Sequence, residues 1–133
     1  MTEAYGVMYG FNMENDADDR REFGIDEGAV GFCWNERRIV VCDMVEARTS
    51  FADRWRMSKY QQSLVRPTLR SLVSVPIFHQ PVNDRAVAAR RLAGVLSFDS
   101  DDIPVEVWFE ASAQGALVKC AKPVGEHLTE EVP

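Results

Sequence analysis

The side chains best suited to chemistry in this chain are its thiols, its imidazoles and one acidic run. Cys33, Cys42 and Cys120 stand among apolar neighbours (Gly-Phe-Cys-Trp, Val-Val-Cys-Asp, Val-Lys-Cys-Ala), and none belongs to a Cys-x-x-Cys pair. A free cysteine is most often a small buried hydrophobe, and it becomes reactive where a base or a cation lowers its pKa. Cys42 has the reverse, because the adjacent Asp43 raises a thiol pKa. Buried packing is therefore the leading reading for the thiols, with a redox role at Cys33 or Cys42 as the competitor. His79 and His127 are far apart in sequence, so a zinc site would have to be assembled across the fold, and both read as solvated surface residues. Ser97-Phe98-Asp99-Ser100-Asp101-Asp102 is rich in the groups that a nucleophile–base pair or two tuned carboxylates would use. The end of a strand and the cap of a helix explain the same residues without catalysis. The acids of Glu14 to Asp19 lack the spaced ligands and closing Glu of a calcium loop and read as a solvated turn. No catalytic residue and no metal ligand is expected.

These groups lie on 133 residues carrying 15 Lys+Arg against 21 Asp+Glu, a net charge of −6, with 46% hydrophobic and 27% charged residues. That composition excludes disorder and fits one soluble domain with its own core, expected over residues 1–128 with a polar tail at 129–133. No apolar run approaches the ~20 residues of a membrane span, and the N-terminus lacks a secretory pattern. Together with an odd cysteine count, this points to a reducing, cytoplasmic setting. The acidic balance disfavours duplex nucleic acid and leaves a small molecule or another protein as partner.

The elements follow from periodicity. Tyr5, Val7, Tyr9, Phe11 and Met13 alternate as a strand does, and Phe23 to Trp34 reads as a turn running into a short helix that ends at Asn35 to Arg38. Ile39 to Asp43 reads as a buried strand, and Met44 to Arg66 as loop with one or two short helices. Leu69 to Phe78 and Leu92 to Phe98 read as strands joined by the polar insert Gln80 to Arg91. Pro76 predicts that the end of its strand is unpaired on one side. Asp99 to Asp102 would cap a final helix with Pro104 in its first turn. That helix has Val105, Trp108, Phe109, Ser112, Ala116 and Cys120 on one face and stops at Pro123 and Gly125. Strands joined by a hairpin are antiparallel, and one amphipathic helix covers one face of a sheet. The fold class is therefore α+β, with the final helix on one face and the Met44 to Arg66 segment on the other.

In this order and spacing, Gly28-Ala29-Val30-Gly31, Ile39 to Asp43, Arg70 to Ile77 and Leu92 to Ser100 leading into a helix resemble the GAF family of regulatory small-molecule sensor domains. The resemblance spans Tyr5 to about Leu128. It implies an antiparallel sheet with helices on one face, a ligand pocket on the other, and a place beside an output domain in a signal-transduction protein. It also implies that the family's first helix and strand are missing here. An uncovered sheet edge would then favour a homodimer, through that edge or the terminal helix.

Carried onto this sequence, the family's pocket elements offer Phe32, Trp34, Asp43, Arg48, Trp55, Tyr60 and Arg70 as ligand-binding residues. Aromatic rings for stacking with Arg and Asp for directed hydrogen bonds suit a planar, polar-edged ligand. The locally basic Met44 to Arg66 segment puts anionic or polar molecules first. Core packing for Phe32 and Trp34, and solvation for the arginines, are the alternative. The cyclic-nucleotide signature, the bilin-attachment Cys, the paired thiols of the sulfoxide-reducing members and a pocket His for haem are all missing from the matching positions. No cofactor is identified, and the ligand is left unnamed. The expected function is non-catalytic sensing, with a ligand-free interaction module or a thiol enzyme as alternatives.

Overall fold

The computed structural model describes Ala4–Tyr5, Phe23–Gly24 and residues 27–79 and 91–131. Strands β1 (Ala4–Tyr5) and β2 (Phe23–Gly24) form a small antiparallel pair. Helix α1 (Gly28–Glu36) leads to β3 (Val40–Asp43), which runs directly into α2 (Met44–Ala47); α3 (Lys59–Ser63) follows. Strands β4 (Ser71–Phe78) and β5 (Leu92–Ser100) come next, then α4 (Val105–Phe109) and α5 (Ala111–Glu131). The main sheet is three-stranded in the order β3-β4-β5, and both pairings are antiparallel. The chain is α+β.

Two cores share β4. A strand turns successive side chains to opposite faces. Leu72, with Val40 and Cys42 of β3 and Val95 of β5, meets α1 and the segment holding Met44, Phe51, Trp55 and Met57. Val73, Val75 and Ile77, with Val41, Leu96 and Phe98, meet Trp108, Leu117, Ala121, Val124 and Leu128 from α4 and α5. The opposed covering of the sheet read from the sequence is what the structure shows, with α1 added on the side of the Met44 segment.

Local chemistry fixes the ends of the elements. Gly28 has φ 63°, which an L-residue rarely adopts, and its N–H donates to the Trp55 carbonyl at 2.6 Å. Ser58 and Gln61 form a reciprocal cap at the start of α3, and Gln61 Nε2 also donates to Glu27 Oε2 at 2.7 Å, joining α3 to the start of α1. The Met44 N–H donates to the Arg70 carbonyl, so even-numbered residues of β4 aim their backbone groups at β3. Because β3 begins opposite Ser74, Pro76 lies beyond it, and its missing donor falls on a side that no strand pairs among the described residues, as predicted.

The final helix departs from expectation in four respects. It breaks at Glu110, where φ −65° and ψ 139° are extended, so α4 and α5 do not share one helical phase. The buried line of α5 is consequently Leu117, Ala121, Val124 and Leu128, while Ser112, Ala116 and Cys120 are exposed. Asp99 to Asp102 do not cap it. Pro104 holds the N-cap position of α4 without a side-chain bond, and Ser100 Oγ instead accepts from the N–H groups of Asp102 and Ile103. Finally, α5 continues through Pro123 and Gly125 to Glu131, over part of the expected tail. The packing of Ala121, Val124 and Leu128 on the sheet outweighs the hydrogen bond that Pro123 cannot donate. The strand expected from Tyr5 to Met13 lies outside the described residues beyond Tyr5, as does most of the insert from Gln80 to Arg91. No helix among the described residues is long and apolar enough to cross a membrane.

Candidate functional site

Residues 41 and 43 of β3 point their backbone groups away from β4, because the bonds to β4 are made by residues 40 and 42. Along this edge of β3, which no strand pairs among the described residues, lies a cleft of about 170 Å³ between the α2-to-Trp55 segment and α4. Its polar lining is Asp43, Glu46, Ser50 and Arg54, and its apolar lining includes Trp55, Val105 and Phe109.

Asp43 ends β3 and starts α2. Its Oδ1 accepts from the N–H groups of Val45 at 3.0 Å and Glu46 at 3.4 Å, the usual service of an aspartate N-cap. Glu46 faces Arg54 at 4.0 Å, and the Arg54 guanidinium lies 5.3 Å from the centre of the Trp55 ring. That is cation–π range. Trp55 is buried and meets Phe32 edge to face at 5.4 Å, whereas Phe109 is 63% exposed at the mouth of the cleft. A flat molecule entering here would meet one free aromatic face, two carboxylates and one guanidinium.

Of the residues chosen from the sequence, Asp43 and Trp55 meet in this cleft. Phe32 packs against the core beside it, and Trp34 is half-buried on α1. Arg48 is fully occupied elsewhere. Its Nη1 donates to the Met44 carbonyl at 3.2 Å, and its Nη2 to those of Arg66, Pro67 and Leu69 at 3.2, 2.7 and 2.8 Å. Tyr60 is 64% exposed on α3, and Arg70 donates to the Asp102 carbonyl at 3.0 Å. Glu46, Arg54 and Phe109 were missed. The first two were legible as a helical turn and loop following Asp43. Phe109 was read as part of the buried face of the final helix, and it is instead 63% exposed.

The acidic run binds protein rather than solvent. Arg66 Nη2 reaches Asp99 at 2.8 Å and its Nε reaches Asp101 at 2.7 Å, while Thr68 donates to Asp101 at 3.0 Å. The Ser71 hydroxyl donates to the Ile103 carbonyl and accepts from the Trp108 indole at 2.9 Å. Both buried thiols are held protonated. Burial pushes Cys33 up to about 12 against the opposing charge of Arg38. Burial likewise pushes Cys42 up to about 12, opposed by Arg54 and reinforced by Asp43 and Glu46. Cys120 is exposed, unlike the other two. Among the described residues, no three His, Cys, Asp or Glu side chains stand together where a metal ion could be held.

Comparison with family models, with curated proteins and with solved structures finds no match to this chain.

Proposed function

We propose that the chain is a non-catalytic, GAF-like sensing domain of a signal-transduction protein, and that it takes a small planar, polar-edged ligand in the cleft at the edge of β3. The observation that carries this reading is the exposed Phe109 ring set across from Asp43, Glu46 and Arg54. Rings supply contact area while the charged groups orient hydrogen bonds. With two carboxylates against one guanidinium, the preferred ligand edge carries hydrogen-bond donors. Protonated, buried thiols favour binding over thiolate chemistry.

A melting-temperature screen of the full chain against nucleobases, pterins and aromatic amino acids tests the reading. At least one planar compound should raise the melting temperature. The rise should vanish in Phe109→Ala, where an exposed ring is removed, and weaken in Asp43→Asn, which keeps the N-cap while removing the charge. If no compound shifts the transition, the sensing reading fails. Phe109, with its large exposed apolar surface, then becomes the anchor of a ligand-free interaction module.

Self-association is part of the same proposal. Among the described residues no strand pairs with the outer edge of β5. Sedimentation over a range of concentrations should show a dimer, and a concentration-independent monomer would remove this part.

A further inference from the structure

The strip Val75 to Phe78 of β4 pairs with β5 on one side, but on the other it extends past the start of β3, where no strand pairs with it among the described residues. A groove of about 420 Å³ fills that space, walled by α5 and by the turn after α1. Its floor and sides are apolar, with Ile39, Val75, Pro76, Phe78, Val118 and Ala121 lining it. Arg37, Arg38 and Lys122 add three cations to the same lining.

Two of the three cations are not spent on the protein among the described residues, whereas Arg38 donates to the Ile39 carbonyl at 3.3 Å. Arg38 is met by Glu36 at 2.5 Å, but the side chains of Arg37 and Lys122 have no hydrogen bond or ion pair among the described residues. Arg37 also has the left-handed φ of 57° at the C-cap of α1, where glycine is the undemanding choice. A backbone outlier that places a free cation on the rim of an apolar hollow is a feature with a use. The chain as a whole carries a net charge of −6, so these unpaired positive groups run against its average. The volume lies within the range of small-molecule sites.

We infer that this groove is a second binding site, and that its ligand is an anionic amphiphile, a carboxylate on an apolar chain, with the head between Arg37 and Lys122 and the tail along Val75 and Ala121. The apolar lining sets this ligand apart from a simple inorganic anion. The unpaired cations set it apart from a neutral lipid. The inference does not depend on the cleft at β3.

Equilibrium dialysis of the full chain against labelled decanoate, below its micellar concentration, tests it, with decanol as the uncharged control. Decanoate should bind saturably at one site, at least tenfold tighter than decanol, and more weakly as sodium chloride is added. The double variant Arg37→Gly with Lys122→Gln should lose at least tenfold in affinity. Glycine fits the left-handed position, so this variant should melt no lower than the parent, which separates lost binding from lost folding. Phe109→Ala should leave decanoate binding unchanged. Absent saturation, equal binding of decanol, or undiminished binding by the folded double variant would each overturn the inference. So would a double variant that changed the oligomeric state while keeping its decanoate affinity, which would assign the groove to a second copy of the chain.

Discussion

Arg48 Nη2 donates to the backbone carbonyl of Leu69 at 2.8 Å, across 21 residues of sequence. One guanidinium thereby holds the turn before β4 to the end of α2. Arg48→Ala should cost about 2 kcal/mol, since several carbonyls lose a charged donor together. Arg48→Lys should recover less than half, because an ammonium cannot span carbonyls on both α2 and the turn. Urea unfolding of the three proteins checks both expectations.

Acid should loosen the neighbouring contact. The Arg66 guanidinium holds the Asp101 carboxyl below its ordinary range, partly opposed by desolvation and aided by Thr68. A lowered folded pKa means that the unfolded chain takes up the proton first. The contribution is present above about pH 4, the usual aspartate value, and is lost as pH falls below it. The urea midpoint should drop between pH 6 and pH 3, and the drop should be smaller in Asp101→Asn. An equal drop in both proteins would rule out this pair as a cause.

Alkali should act on the thiols with the opposite sign. Cys33 and Cys42 are raised when folded, so their contribution is intact below about pH 9 and declines as pH rises towards 12. The loss should be about 1 kcal/mol per thiol between pH 9 and pH 10. At pH 8 a disulfide reagent should label Cys120 quickly and the other two only on unfolding. Rapid native labelling of Cys33 or Cys42 would revive the redox alternative.

Pro123 occupies the interior of α5 and leaves the Lys119 carbonyl without its helical donor. Pro123→Ala should stabilise the protein by about 1–3 kcal/mol and raise the helical signal in circular dichroism. A lower melting temperature would mean that Pro123 is needed for the packing of Val124 and Leu128.

Strands β4 and β5 were legible in the sequence because alternation survives any tertiary setting, and β3 because it is a continuous apolar run, whereas Phe23–Gly24, read as a turn, pairs as a strand with Ala4–Tyr5. Val73, Val75 and Ile77 share a face whatever covers them, and Pro76 marked its own unpaired side. The final helix was misread because a single extended residue, Glu110, rotates everything after it, and because packing overrode a proline. The cleft was half legible. Asp43 and Trp55 declared themselves by type, while Arg48 and Arg70 looked equally suitable and were claimed by backbone carbonyls distant in sequence. Arg37 and Lys122 gave no local sign, since their meeting depends on α5 lying across the open end of β4.

Ile39, Val41 and Asp43 are successive same-face positions of one extended run. The first lines the groove, and the other two line the cleft. The two hollows are thus opposite ends of a single rod about 13 Å long, at 3.3 Å per residue. An occupant that displaced the rod at Ile39 would change the geometry offered at Asp43. Whatever factor one ligand applies to the affinity of the other must be returned in equal measure, so the short edge strand is where a two-input device would be wired.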